Sequence, residues 1–444
     1  MKKIFIFLSL TLISTAWSVH TIALGQAAPA NADGKFKLKA KLVGHQSQVF
    51  RVVFNSASDL IATADETTTK IWTTTGQLLF TLDAKAPGFN PDGRSLVTIN
   101  RQNARVWDAV TGKLKFTLAG HERDITSVSF SRDGSKLVTG SEDGTVKIWD
   151  AATGQASATL MVWRVKKIPR YRIVSRALDI PVWVYAHFSP DGQKVLTTTY
   201  WEKSPAKLWD VSTGLLRAEL GHTMELSYKT IPAGVDDASF SPDGKFIATK
   251  SGDSIKLWET ATGRLINEFK FLFPITKFSA DSRWLGFIRD GNNVGLLNLE
   301  TLKVQPISDV EMGYLNQHVF SPDSRTYVLA SGYKKYHATL IDVATGRVRA
   351  TIPLVSKWGF DIVSEYQKDV DLLSFHPGSK FLIGANHNSV RMWDTSTGAL
   401  VWETLEGRDP AEFSLDGQWL ATIGKDKKTV LLWEASNLAS TMVQ

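Results

Sequence analysis

The stretch Leu137 to Gly154, LVTGSEDGTVKIWDAATG, decides how this chain is read. Leu137 to Ser141 and Thr145 to Trp149 are two short runs of apolar and β-branched residues. Between them Glu142-Asp143-Gly144 supplies the tight turn that brings antiparallel strands together. Ala151 to Gly154 closes the second strand. Weaker copies of the unit recur through almost everything after residue 40, so the repeat takes precedence over any single motif.

Two landmarks make the copies countable. An aromatic residue followed by a polar turn occurs nine times: Phe54, Phe89, Phe130, Phe188, Phe240, Phe278, Phe320, Phe375 and Phe413, with turns such as SRDG, SPDG, SADS and HPGS. A strand ending in Trp, usually followed by an acid, occurs at Trp72, Trp107, Trp149, Trp209, Trp258, Trp393 and Trp433, and two further copies carry Leu297 and Ile341 instead. A Thr-Gly turn and a further apolar run, such as Leu114 to Leu118, follow most of these. Each unit is therefore four short strands joined by tight turns, at a spacing of about 40 residues.

The sequence resembles the WD-repeat β-propeller family over residues 36 to 444. Gly120-His121, the SRDG turn, Thr139, Asp143 and Trp149-Asp150 fall in order inside one unit, which makes the likeness specific. The resemblance implies an all-β fold, a closed propeller of four-stranded antiparallel blades. It also implies that His121, Thr139, Asp143 and Trp149 form a buried hydrogen-bond network with a structural role. His45 and His222 keep the Gly-His pair, but the spacing gives no other unit all four members. Nine units favour nine blades, with eight as the alternative if a degenerate unit is not a full blade. Phe36 to Leu42, FKLKAKL, has the pattern of an outer strand with no blade before it, and the last unit stops after its Trp433 strand. Residues 36–42 are expected to complete the last blade and close the ring.

Composition sets the remaining limits. The 444 residues include 15 Trp and 22 Phe, and Gly and Pro are spread along the chain, as in a folded β-rich protein. Residues 1–30 read as a signal peptide: Lys2 and Lys3, the apolar run Ile4 to Ile13, then small residues, with cleavage expected near residues 25–30. Residues 31–444 then form a single domain, exported to the periplasm or secreted. Cysteine is absent, which removes disulfides, thiolate metal sites and a cysteine nucleophile. Without Lys2 and Lys3, 51 basic residues become 49 against 44 acidic ones, an excess too small to imply nucleic acid.

Function is expected where the repeat is interrupted. The longest insertion, 160–184, carries six basic residues and no acid between Arg164 and Arg176. The others are 222–237 and 353–371, the last holding Asp361, Glu365, Asp369 and Asp371. All three join the outer strand of one unit to the inner strand of the next, so they share one face. Candidate partner-binding residues there are Trp163, Arg164, Lys166, Lys167, Arg170, Tyr171, Arg172, Arg176, Trp201, Trp358 and Tyr366, because Arg and aromatic side chains dominate interface energetics. A solvated basic loop pairing with the acidic one is the simpler account of the same charges.

The expectation is a non-enzymatic, monomeric scaffold that binds a protein or peptide on that face. Anionic lipid or polysaccharide is a further partner class, and an extracellular hydrolase or lyase built from blade loops is the alternative function. No cofactor or metal is called for: the histidines lack ligand spacing and the Asp-Gly turns are hairpin chemistry. His376, in the HPGS turn, is expected at the surface.

Overall fold

Lys136–Ser141 pairs antiparallel with Thr145–Asp150, placing Leu137 opposite Trp149 and Thr139 opposite Lys147. In this computed structural model Ile125–Phe130 and Ala156–Met161 flank that hairpin to complete a four-stranded sheet. The structure describes residues 35–163 and 183–436, apart from 201–203, 227–228, 253, 271–276, 290–292, 308–309, 311–313, 333–336, 355–371 and 387.

Nine such sheets form a closed ring, a nine-bladed propeller without helices among the described residues. Numbered along the chain, blades 1 to 9 span residues 51–82, 85–118, 125–161, 183–220, 237–270, 277–307, 314–353, 372–404 and 407–436. Each runs from an innermost to an outermost strand. In blade 9 the outermost place is taken by Lys35–Leu42, which pairs with Val430–Ser436, Phe36 opposite Ala435 and Leu42 opposite Val430.

The core is divided in the same way. Nine clusters of buried apolar side chains occupy the nine junctions between adjacent blades. The cluster of Val52, Ile61 and Trp72 with Ala421, Ile423 and Leu432 joins blade 1 to blade 9. A middle strand packed on both faces reads as a nearly continuous apolar run, whereas the outer strand Ala156–Met161 buries only Leu160. The recurrent Trp therefore fills the gap toward the preceding blade, as Trp149 does beside Leu118 and Val106.

Blades 6 and 7 lack that Trp, and other rings fill the volume. In blade 6 Phe287 stands where blade 3 has Thr139, and Gly295 faces it; a Cβ on Gly295 would lie 2.5 Å from the Phe287 ring. In blade 7 the fully buried Tyr327 reaches across to Gly286. A large side chain and a small one have exchanged places, which keeps the junction close-packed.

On one face the first turn of most blades links to the next blade through short polar contacts. The backbone N–H groups of Asp243, Asp281 and Asp323 donate to Ser282, Ser324 and Ser379 of the following blade at 2.9 to 3.0 Å. Asn90 Nδ2 donates to the Gly134 carbonyl at 3.1 Å, and the N–H of Asp416 reaches Ser58 at 3.4 Å across the closure. His376 belongs to this series, which corrects its expected surface position. It is 6% exposed, its Nε2 meets the Gly417 carbonyl at 3.1 Å, and its ring packs edge-on against Phe381 and Phe413. It occupies the place of the buried turn serine, such as Ser131 or Ser414, and so points inward.

Candidate interaction face and the network beneath it

Four antiparallel strands per blade put the connections into and between blades, and the turns between middle strands, on one face; the remaining turns lie on the other. The three long insertions leave from the first of these faces. Residues 222–237 contain the only regular structure outside the blades among the described residues, the hairpin of His222–Leu226 with Lys229–Ala233.

The basic insertion is held at both ends by the turn that opened the sequence reading. The N–H groups of Val162 and Trp163 both donate to the Gly144 carbonyl, at 3.1 and 3.0 Å, and the Trp183 indole donates to Glu142 at 3.1 Å. Gly144 adopts φ +82°, and a Cβ there would overlap the Trp163 carbonyl, so this position requires glycine. Lys207 caps the Val162 carbonyl at 2.8 Å. The same register position in blades 5 and 8 does the same work: Lys256 bonds the Gly221 carbonyl at 3.0 Å and Arg391 the Leu354 carbonyl at 2.8 Å. A repeated cation on the third strand thus fixes the base of each insertion.

Of the partner-binding candidates, Trp163 is half-buried at this base. Arg164, Lys166, Lys167, Arg170, Tyr171, Arg172, Arg176, Trp201, Trp358 and Tyr366 lie outside the described residues, as does the expected signal peptide, residues 1–30.

Beneath the face, His121 bonds Asp143 through Nδ1 at 3.0 Å and Thr139 through Nε2 at 2.7 Å, and the Trp149 indole donates to Thr139 at 2.9 Å. Burial opposes ionisation of Asp143, yet His121, Thr145 and the Glu122 N–H hold its carboxyl well below the usual range.

Blade 1 has the same arrangement, contrary to the expectation from spacing. His45 bonds Asp65 at 3.0 Å and Thr63 at 2.7 Å, and Trp72 donates to Thr63 at 2.8 Å. Asp65 follows its Thr by two residues where Asp143 follows by four, so a fixed-spacing search passes over it. In blade 5 Ser254 replaces the acid, at 2.6 Å from His222. Three other blades keep the Trp-to-Thr bond alone, at 2.8 to 3.0 Å: Trp107 to Thr98, Trp209 to Thr197 and Trp433 to Thr422.

A second group was missed from sequence. One side of the innermost strands, the positions one and three residues before the repeat aromatic, carries Glu412, Arg51, His187, Asp237 and Lys277. Burial pushes Glu412 up to about 7 against the opposing pull of Arg51. Burial lowers Lys277 and His187, with Asp237 opposing in both cases. Aligning the nine inner strands on their aromatic would have exposed these charges. Among the described residues no three His, Asp or Glu side chains are placed to hold a metal ion, and no helix is long and apolar enough to cross a membrane.

Residues 36–73 and 112–150 match the family model of the WD domain, G-beta repeat. Both matches begin one strand before a blade, on an outer strand, which is the phase that puts 36–42 at the far edge of blade 9. The chain is 27% identical over 336 residues to the nuclear distribution protein PAC1 of Arthroderma otae, covering 73% of this chain and 61% of that protein. It is 26% identical over 262 residues to protein tipD of Dictyostelium discoideum, covering 52% and 42%. A guanine nucleotide-binding protein subunit beta of Oryza sativa subsp. japonica is 27% identical over 260 residues, covering 53% and 63%. These spans fall short of two thirds of each relative's length. In fold, the chain is similar to the crystal structure of the computationally designed Ika8 protein, with a TM-score of 0.53 and 20% identity over 89% of this chain and 99% of that one. The repeat network, the nine blades and these similarities are together those of a WD-repeat β-propeller.

Proposed function

We propose that this protein is a non-enzymatic scaffold that binds a protein or peptide partner on the face bearing the insertions 160–184, 222–237 and 353–371. The observation that carries the reading is the anchoring of the basic insertion: Trp163 and Trp183 are both bonded to the Glu142-Asp143-Gly144 turn, itself fixed through Asp143 to His121. A loop based on a rigid blade can vary its outer residues without disturbing the ring. Arg and aromatic residues between those anchors have the composition of an interface centre.

The test replaces 164–182 by a short Gly-Ser linker and compares proteins retained by the intact and shortened chains. The expected outcome is an unchanged melting curve with loss of the retained partner. Equal retention by both chains would sink the proposal. We propose further that the chain is exported after cleavage near residues 25–30, which the N-terminal sequence of the mature protein decides.

A further inference from the structure

The innermost strands of blades 5, 6 and 7 bring together Asp237, Lys277 and His318. His318 is 5% exposed. Its Nδ1 lies 2.6 Å from the Tyr327 hydroxyl, and its Nε2 is buried with no hydrogen-bond partner. Burial raises the Tyr327 phenol, which stays protonated and donates to Nδ1. Burial, with the Lys277 charge, lowers His318 to about 3, so the ring is neutral and its proton sits on Nε2. That N–H points at no acceptor, so a buried donor has lost its water without a replacement.

Lys277 has the same need. It makes no hydrogen bond or ion pair with the described residues, although its charge is felt by His318 and it feels that of Asp237 in turn. Asp237, exposed on the neighbouring blade, accepts no hydrogen bond from a described side chain either. Among the described residues two donors from adjacent blades therefore lack an acceptor, and a carboxylate close by forms no ion pair with either.

We propose that this junction is a binding site for a single carboxylate group, one oxygen taken by the Lys277 ammonium and the other by the Nε2–H of His318. A planar anion with two oxygens bridges two separate donors. The negative charge of Asp237 limits what enters: a second negative charge on the ligand is repelled, so a monoanion is favoured over phosphate. The carboxylate comes from a free small acid or from a chain terminus of a polypeptide. Lys277 and His318 lie outside the insertions, and Asp237, the last residue of 222–237, begins the innermost strand of blade 5, so replacing 164–182 leaves the site intact and the two proposals fail separately.

The test titrates the full mature chain with acetate, inorganic phosphate, and a short glycine-rich peptide as its free acid and its amide. Calorimetry and the Nε2 resonance of His318 are followed. Saturable acetate binding that shifts the His318 resonance, with phosphate at least about tenfold weaker, supports the site. A free-acid peptide that outcompetes acetate while its amide does not identifies a chain terminus as the source; equal binding of acetate and the free acid identifies a small acid. Lys277→Met is expected to weaken acetate at least about tenfold, and Asp237→Asn to strengthen it about threefold or more. Should Lys277→Met fail to fold, the exposed Asp237→Asn still decides the matter by its sign. No saturation by about 100 mM acetate, equal phosphate binding, an unmoved His318 resonance, or weaker binding in Asp237→Asn would each overturn the proposal.

Discussion

The indole N–H of Trp402 donates to the backbone carbonyl of Phe36 across 3.1 Å, joining residues 366 apart in the chain. The Phe36 ring also meets Trp402 and Phe413, with centroids 5.7 and 6.1 Å away. One strand from the start of the described chain thus packs against blade 8 and pairs with blade 9. Trp402→Phe should cost about 1 to 2 kcal/mol, the bond plus a small loss of volume. Excising 35–42 removes buried Phe36 and Leu42 and bares the edge of Val430–Ser436, so a loss above about 5 kcal/mol and self-association are expected. Urea unfolding and light scattering measure the two. A shortened chain that is monomeric and equally stable would show that the strand does not close the ring.

Thr63 and Thr139 each receive a Trp indole and face a His ring through one hydroxyl, whereas Thr98 serves Trp107 alone. Thr63→Val or Thr139→Val strands two buried partners and should cost about 2 to 4 kcal/mol. Thr98→Val strands one, on the half-buried Trp107, and should cost about 1 kcal/mol. Chemical denaturation ranks the three; equal costs would mean that the His contributes nothing through the hydroxyl.

His222 responds to acid. Burial first, then Lys256, lowers it to about 4 in the folded protein against an ordinary 6.5. Between those values the unfolded chain binds the extra proton, so its contribution is whole above pH 6.5 and is lost as the pH falls toward 4, by roughly 3 kcal/mol. Glu412 has the opposite sign. Its folded value of about 7 exceeds the ordinary 4.5, so its contribution is whole below pH 4.5 and is lost as the pH rises through 7. Stability measured from pH 4 to 8 should lose part of its acid-side slope in His222→Gln, the other buried histidines keeping the rest, and gain at pH 8 in Glu412→Gln. Variants that parallel the parent curve would contradict both assignments.

Ser324 sits at φ 60°, in the left-handed region, while its hydroxyl accepts the Asp281 N–H at 3.0 Å. Ser324→Ala keeps the strain and loses the bond, for about 1 to 2 kcal/mol; Ser324→Gly loses the bond but removes the strain, and should be within about 0.5 kcal/mol of the parent. Thermal melting separates them. If alanine and glycine are equivalent, backbone strain plays no part at this turn.

His376 shows where sequence reading goes astray. HPGS looks like a surface turn because a turn is polar by composition. The first turn residue is nevertheless buried in every unit, and only the packed ring reveals that the histidine points inward. Asp65 was passed over for a related reason. The network requires a carboxylate at one point in space, and a hairpin of different length delivers it from a different place in the chain.

The sequence by itself determined the repeat, the four-stranded unit, the Trp at seven of the nine junctions and the face on which the insertions leave, because strand period and turn chemistry act over a few neighbours. Tertiary structure alone decided the count of nine over eight, since closure depends on nine inter-blade clusters packing together. It also decided how Phe287 and Tyr327 replace a missing Trp, and how Asp237, Lys277 and His318 come together from three blades. Such meetings depend on distances across the ring, which no local pattern in the chain encodes.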